Sequence, residues 1–408
     1  MLLTFLLSGI IYIQLSKTIS NYRIGLVIFT FFVYLSITLI DLYYLESVNN
    51  MSFHFSDPTN YYEMTKHLTF SQMLAIESTN TFYYIVNWYY NHIYDNSTYV
   101  AFWLKINNIL VLLLAYILFT KKEKEISFLD FILLFSPYLI ITVIRNVRDV
   151  YIILFLSMAF LGLGICRNNR LNMFWTFLAF FFLSFTRSFL LLPLFLIWWT
   201  KNSSRFSRAI RYFFVTLFLV IVYISVHDII RIMGNQMLSA MIYIGEDENL
   251  EELRPILEGN LSYSIFIFLA KRVLIGLVAF LFTPHPLNFI THWISFMDTT
   301  GSVGIYTGLD NLLISLGSIY NYLFILPLGF YWFLNRKSIN PYLLIFIIFY
   351  IVFYVISFVG VTDIRIRNTG IYFILLSLIL KDGKVKLSLF YYILTLGVFI
   401  LLSGMRYN

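Results

Sequence analysis

Five arginines are the residues whose type and position point most directly to chemistry. Each lies at the end of a long apolar stretch, and together they are Arg145, Arg148, Arg187, Arg365 and Arg367. A guanidinium stays charged at any physiological pH, and its fork of N–H donors matches the oxygens of a phosphate group. In apolar surroundings it is costly unless an anion compensates its charge. The arginines therefore predict a site for phosphate or diphosphate groups.

Arg145 and Arg148 belong to one turn, which continues into Asp149. The two arginines are three residues apart and share a face if the following helix has begun. This spacing predicts a paired guanidinium clamp for phosphate or diphosphate. The alternative is that both arginines snorkel at a membrane interface and that Asp149 is a favourable charge at a helix N-terminus.

The remaining arginines lie in two further turns. Arg187 is the expected tip of a hairpin inside the apolar stretch 171–200, and its alternative role is a structural salt bridge. Arg365 and Arg367 alternate along the chain, so they share one side if the turn is extended. Pairing with Asp363 is the competing explanation for these two. We predict that all three turns contribute to anion binding.

A polar segment after the second apolar stretch supplies candidates for a base and for sugar binding. Asp57 is either a helix or turn start, as an aspartate before proline often is, or a general base for a hydroxyl group. Tyr61, Tyr62 and Glu63 follow, and His54 precedes them. Tyrosine rings stack on sugar faces and carboxylates bind hydroxyls, so we predict a sugar-binding role for Tyr61, Tyr62 and Glu63.

A second candidate base lies between two prolines. His285 follows Pro284 and precedes Pro286, so its backbone is stiff. The side chain is either a hydrogen-bonded anchor, a phosphate ligand or the base. The six histidines are otherwise scattered, and none has the spacing of a zinc or calcium site. We therefore predict neither a metal nor another cofactor.

The elements that position these residues are membrane helices. A chain of 408 residues with 60% hydrophobic and only 12% charged residues lies outside the range of soluble domains. We predict an all-α, polytopic membrane protein with about 12 transmembrane helices, several of them shorter than the usual ~20 residues. The predicted spans are 2–16, 24–45, 98–119, 126–143, 149–166, 171–186, 188–200, 209–227, 309–334, 341–360, 367–380 and 386–404.

Loop charge predicts the orientation of these spans. Short basic loops are expected inside, which explains the net charge of +7 without nucleic acid as a partner. All five arginines then lie at the outer face, together with the long loops 46–97, 228–261 and 284–308. The count of crossings balances only if a segment near 260–285 is re-entrant or forms two half-helices. We predict one membrane domain over residues 1–408.

The order of these features resembles the Wzy-type O-antigen and exopolysaccharide repeat-unit polymerases, including their EpsG-like relatives, which are GT-C-like membrane glycosyltransferases. The motifs that carry the resemblance cover most of the chain and are Asp57 to Tyr62, Asn146 to Asp149, Phe185 to Leu190, Pro284 to Pro286 and Asp363 to Asn368. The sequence departs from the family pattern at Leu287, where Trp or Tyr is common, and at Thr186-Arg187, where His or Lys is usual.

The resemblance implies a polymerase of undecaprenyl-diphosphate-linked oligosaccharides at the periplasmic face of the bacterial inner membrane. It would transfer the growing chain from its lipid diphosphate to the non-reducing end of a new repeat unit. On this basis three arginines bind one diphosphate, Arg365 and Arg367 bind the other, and Asp57 or His285 is the base. Partners are the lipid-linked oligosaccharide, membrane lipid and, as a candidate, a chain-length regulator protein.

Two other functions fit the same residues. An O-antigen ligase, or another lipid-linked-sugar transferase, uses the same type of donor with a different acceptor. A transporter or flippase of lipid-linked oligosaccharides needs no base, but its cationic residues are expected throughout the depth of a pore. The clustering of the arginines at one face favours a transferase over a transporter.

Overall fold

The computed structural model is almost entirely helical, as the sequence predicts. It describes residues 9, 21–49, 51–54, 57–75, 81–119, 126–145, 147–165, 172–202, 216–223, 227, 288–298, 302–303, 306–336, 339–357, 364–380, 385 and 387–404. The only strands in these ranges are β1 (Ser302–Val303) and β2 (Tyr306–Thr307), which pair antiparallel as a small hairpin. The helical class is confirmed, its long apolar helices are consistent with a membrane protein, and the number of about 12 spans stays a prediction.

The helices fall into three runs along the chain. The first run consists of α1 (Asn21–Asn49), α2 (Asp57–Lys66), α3 (Phe70–Ala75), α4 (Thr81–Asn91) and α5 (Ser97–Phe119). The second consists of α6 (Phe128–Leu134), α7 (Pro137–Ile144), α8 (Asp149–Gly162), α9 (Asn172–Ser184) and, after a 3-10 turn at Ser188–Leu190, α10 (Leu191–Asn202). The third consists of α11 (Asn288–Met297), α12 (Leu309–Tyr320), a π-helical turn at Asn321–Ile325, α13 (Leu326–Leu334), α14 (Pro341–Ser357), α15 (Ile364–Leu380) and α16 (Leu389–Gly404).

Three stretches of the described chain are long and apolar enough to cross a bilayer. They are Tyr22–Ser47, Ser97–Phe119 and Leu309–Leu334, and they match predicted spans. The predicted span 126–143 is instead divided into α6 and α7, because Pro137 lacks an N–H and favours the first turn of a new helix. The predicted span 2–16, apart from residue 9, and the predicted re-entrant segment near 260–285 lie outside the described residues.

The predicted outer loop 46–97 contains three short helices, α2 to α4. Helix α4 buries Tyr83, Val86 and Tyr90. The Asn91 amide at its end donates to the carbonyl of Tyr62, which attaches α4 to α2. The segment is therefore packed by its own aromatic side chains. The predicted loop 228–261 lies outside the described residues, and the predicted loop 284–308 contains α11 and the β hairpin.

The chain divides into two compact units. Unit 1 comprises residues 1–187, 284–343 and 371–408, and unit 2 comprises residues 188–283 and 344–370. Within unit 2, for example, the Phe189 ring packs edge-on against Tyr354 with 5.3 Å between centroids. The inference of one membrane domain over 1–408 stays a prediction.

The core of unit 1 is built around α5, which is buried along nearly its whole length. Helices α8 and α9 form a hairpin beside it, in which the rings of Phe155 and Phe182 stack with 4.8 Å between centroids. The Phe82 ring of α4 contacts both Tyr151, near the start of α8, and Phe182, near the end of α9, so the two helices run antiparallel. The turn before α8 and the turn after α9 consequently lie at the same end of the hairpin.

Candidate functional site

Five ionisable side chains from five different segments meet inside unit 1. They are Asp41 on α1, His54 after α1, Lys105 on α5, Arg145 at the end of α7 and Asp310 at the start of α12. Each is at most 1% exposed. Burying an ion costs several kcal/mol unless it is paired and hydrogen-bonded, so such a group folds only as a connected set.

His54 lies between two carboxylates. Its Nε2 is 3.0 Å from Asp41 Oδ2, and its Nδ1 is 3.0 Å from Asp310 Oδ2. Burial alone lowers the pKa of His54, but the carboxylates of Asp310 and Asp41 outweigh it and raise that pKa above its ordinary value. We therefore assign an imidazolium to His54, because both ring nitrogens then act as donors.

Lys105 and Arg145 complete the cluster. Lys105 Nζ donates to Asp41 Oδ2 and to the carbonyl oxygen of Ile144, each at 2.5 Å. Arg145 follows Ile144 directly, and its Nε is 3.4 Å from Asp310 Oδ2. The peptide bond between Ile144 and Arg145 therefore connects the contacts of Lys105 to those of Asp310 and closes the set. We call this closed set, Asp41, His54, Lys105, Arg145 and Asp310, the ionic ring.

The ionic ring carries an excess of positive charge. With His54 protonated it contains three cations and two carboxylates, and the adjoining turn adds Arg148 and the buried carboxylate of Asp149, so ring and turn together keep one positive charge. An excess charge in a region without water is stabilised by an ion of opposite sign. The ring therefore favours an anion bound beside it, at the adjoining turn, and disfavours a metal cation. Within the described residues, no group of His, Cys, Asp and Glu side chains forms a metal site.

The ring is attached to the turn that carries the first two predicted arginines. Besides the bond from Lys105 to Ile144, the Asn108 amide donates to the carbonyl of Val143 at 3.3 Å. Helix α5 therefore satisfies two of the final carbonyls of α7, which lack partners within their own helix. The chain then passes through Arg148, which is partly exposed and precedes the first residue of α8.

Arg187 lies at the same end of unit 1. It is 5% exposed, and its N–H bonds to the carbonyl of Leu183 at 2.8 Å, in the turn that ends α9. Because α8 and α9 are antiparallel, this turn and the Arg145–Arg148 turn lie at the same end of the hairpin. The structure thus brings three of the five predicted arginines to one level of unit 1.

The predicted sugar-binding residues are divided between core and surface. Tyr61 and Tyr62 are 4% and 7% exposed. The Tyr61 ring lies edge-on to Tyr83 at 5.1 Å, and the Tyr62 ring stacks on Phe53 at 4.7 Å. Glu63, in contrast, is exposed. The two rings pack α2 against its neighbours, and a sugar-binding role for the three residues stays a prediction.

For the remaining predicted site residues, the structure describes no side chain. Asp57 is the first residue of α2, the position expected for an aspartate at a helix start, and its side chain lies outside the described part. His285 lies outside the described residues. Arg365 and Arg367 occupy the first turn of α15, in unit 2, so the extended turn that would place both on one side is not formed. Their side chains are likewise not described.

Sequence reasoning missed most of the ionic ring. Asp41, Lys105 and Asp310 were not selected, and His54 was considered only as a neighbour of Asp57. A signal was nevertheless present, because Asp41 lies inside the predicted span 24–45 and Lys105 inside the span 98–119. Ionisable residues within membrane spans are rare, and they usually pair with one another or serve function.

A second polar layer borders α5 near the ring. Asn107 donates its amide N–H to the hydroxyl of Tyr151, whose ring lies 5.6 Å from that of Tyr83. The Oδ1 atoms of Asn107 and Asn108 are buried, with no hydrogen-bond partner in the described part of the chain. These amide and phenol groups therefore form a buried polar layer in the core of unit 1, two and three residues after Lys105 on α5.

Comparisons of the chain with protein-family models, with curated proteins and with solved structures find no match in any of the three. The feature of the chain that bears most directly on function is its buried ionic ring, which is attached to an arginine turn.

Proposed function

We propose that this chain is a membrane glycosyltransferase that polymerises undecaprenyl-diphosphate-linked oligosaccharide repeat units. The observation that carries the proposal is the cationic ionic ring and its attachment to the Arg145–Arg148 turn. A diphosphate headgroup at the turn balances the excess positive charge of ring and turn, and one guanidinium can donate two parallel hydrogen bonds to its oxygens. Arg187, at the same end of unit 1, adds a further cation.

The proposed reaction needs charge stabilisation more than proton donation. A hydroxyl at the non-reducing end of the acceptor unit attacks the anomeric carbon of the donor chain. A new glycosidic C–O bond forms, the C–O bond to the lipid diphosphate breaks, and the diphosphate leaves as an anion with the bonding electrons. Arginines placed at the leaving group stabilise that developing charge.

The hydroxyl proton passes to a general base, for which Asp57 and His285 remain the candidates. His54 is unsuitable, because a base needs a free lone pair and both ring nitrogens of His54 face carboxylates. Glu63, which is exposed on α2, stays a candidate for contact with sugar hydroxyls. Tyr61 and Tyr62, the two buried residues before it, stay candidates for sugar binding. Arg365 and Arg367 are the proposed cations for the acceptor diphosphate.

The remaining parts of the proposal follow from the sequence. Short basic loops favour an outer, periplasmic location for the arginine turns in the bacterial inner membrane. A GT-C-like arrangement of about 12 spans accommodates two polyprenyl lipids in the bilayer. A chain-length regulator protein is the proposed protein partner.

A gel profile of surface polysaccharide tests the proposal in cells. A strain that lacks the gene is complemented with the intact chain, with Arg148→Ala or with Arg336→Ala, a control at an exposed arginine after α13. We expect a full ladder from the intact chain and from Arg336→Ala, and single capped units from Arg148→Ala at equal membrane abundance. Core without any cap would favour a ligase, and a full ladder from Arg148→Ala would contradict the proposed site.

A carrier of lipid-linked oligosaccharide is the second candidate. The observation that favours it is the chain of ionisable groups from Lys105 through Asp41 and His54 to Asp310, since such chains conduct protons in transporters. Purified protein in detergent micelles separates the two functions, because micelles have no compartments. A polymerase lengthens lipid-linked repeat units there, whereas a carrier leaves them unchanged.

A further inference from the structure

We infer that Arg145 and Arg148 have different roles: Arg148 contacts the donor diphosphate, whereas Arg145, Lys105 and His54 are positioning residues that fix the turn. The inference rests on the proposed function. Arg145 and Arg148, which are equivalent in the sequence pattern, thereby have separate roles. Lys105 and His54 support the donor site but do not contact the substrate.

Arg145 is enclosed by the ring. Its side chain is fully buried, and its Nε faces Asp310, which also contacts His54. An anion reaches this guanidinium only if the ring opens, which would separate buried charges at considerable cost. Arg145 therefore holds the turn to α12 through Asp310.

Arg148 has the opposite surroundings. It is partly exposed and lies at the N-terminal end of α8, where its carbonyl accepts the N–H of Tyr151 at 2.9 Å. The partial positive charge of a helix N-terminus adds to that of its guanidinium. Of the two arginines, Arg148 is the one that a bound headgroup reaches without displacing buried groups.

The ring fixes where Arg148 lies. Lys105 and Asn108 hold the carbonyls of Ile144 and Val143, which lie four and five residues before Arg148. The Arg145 side chain, through its contact with Asp310 of α12, also fixes the start of the turn. Anchors from α5 and α12 therefore restrain both the backbone and the side chain at the start of the turn. A shift of 1 Å in a catalytic group can cost about 100-fold in rate, so this restraint bears directly on turnover.

His54 keeps the ring closed. The groups that face it are Asp41 from α1 and Asp310 from α12, and each carboxylate is also held by a cation, Lys105 or Arg145. A neutral imidazole offers one N–H rather than two, so it can donate to only one of the carboxylates. Loss of the proton therefore releases one side of the ring.

Kinetics with purified full-length protein in detergent micelles test the division of roles. Donor KM and kcat are measured for the intact chain, Arg148→Lys, Arg148→Ala, Arg145→Lys and Lys105→Arg. We expect Arg148→Ala to raise the donor KM about tenfold or more, with partial recovery in Arg148→Lys. Arg145→Lys and Lys105→Arg should keep the donor KM within about twofold and lower kcat about tenfold or more.

A binding measurement keeps the inference separate from the proposed function. Undecaprenyl diphosphate without sugar is added to each protein, and the rise in thermal unfolding temperature is recorded. We expect the rise to persist in Arg145→Lys and to disappear in Arg148→Ala. Equal loss in both variants, at normal folding without ligand, would overturn the division of roles. Normal binding without any polymerisation by the intact chain would instead overturn the proposed function.

Discussion

Helix α5 carries two buried polar clusters, one toward each end, and they are built differently. Lys105 belongs to the ionic ring, whereas Tyr116, roughly 16 Å further along the helix, donates its hydroxyl to Asp130 Oδ1 at 2.6 Å. Asp130 Oδ2 accepts the N–H and the hydroxyl of Ser127 at 2.8 and 2.9 Å. The second cluster is thus a capping box at the start of α6, with one added tyrosine and the buried Arg23 of α1 close to that tyrosine.

The difference separates a structural cluster from a functional candidate. The Asp130 cluster satisfies backbone groups at a helix start, which any such helix requires. The ionic ring instead joins side chains from five segments, and apolar residues can often replace buried ions without loss of stability. A fold does not need three buried cations beside a turn that holds another arginine. The ring is therefore the cluster that calls for an anionic ligand.

Replacement of Lys105 by methionine gives the largest expected effect on stability. It leaves Asp41 buried with one of its two cations missing, and breaking a buried pair costs about 3–5 kcal/mol. The free energy of unfolding, measured by denaturant titration in micelles, should fall by this amount. The double variant Lys105→Met with Asp41→Asn should recover part of the loss. A single variant as stable as the intact chain would show that the ring does not depend on its charges.

Replacement of Arg187 by alanine tests whether this end of unit 1 is functional. Removal of one donor to a developing anion costs roughly 10²–10³ in rate, so polymerisation in micelles should fall by about that factor. Arg336, an exposed arginine after α13, provides the matched control, and Arg336→Ala should retain full activity. Equal activity of the two variants would remove Arg187 from the site.

Titration of His54 distinguishes the two clusters by pH. Its pKa is raised above the ordinary 6.5, so its contribution to stability is fully present below that pH and is lost as pH rises through the folded-state pKa. The unfolding free energy should therefore decline above about pH 6.5, by about 1.4 kcal/mol for each unit by which the pKa is raised. His54→Gln should abolish this decline, whereas Tyr116→Phe should preserve it. An unchanged slope in His54→Gln would assign the titration to another group.

Replacement of Tyr116 by phenylalanine should have the smallest effect. It removes one hydrogen bond to Asp130, whose other oxygen keeps both bonds from Ser127. We expect a loss of about 1 kcal/mol in unfolding free energy and an unchanged polysaccharide ladder. A shortened ladder at normal abundance would extend the functional region along α5 and weaken the contrast between its two ends.

Much of the fold follows from hydropathy. The predicted span 98–119 differs from α5 by one residue, because a run of apolar residues of membrane length has few other solutions. The division of 126–143 into α6 and α7 was also visible, as Ser136 and Pro137 together mark a new helix start. The helices of 46–97 are less apparent, since tyrosine-rich sequence also fits an interfacial loop.

The site was only partly predictable, and His54 illustrates why. Its neighbours in sequence, Asp57 and Tyr61, suggested a base or a sugar contact. Its neighbours in space are Asp41 and Asp310, and they make it a charged bridge. Arg145 was selected for its charge, but its partner Asp310 belongs to a distant helix. Sequence position gives the chemical type of each group and leaves its partners open.

By itself, then, the sequence determined that the chain is helical and apolar enough for a membrane, and that arginines lie near the ends of its helices. Both follow from the transfer of individual side chains out of water, a cost that each residue contributes separately. Only the tertiary structure decided that Arg145 is enclosed by Asp310, that Lys105 holds the preceding carbonyl and that Arg148 remains accessible. Pairing energies fall off within a few ångströms, so they depend on which helices pack together and in what register.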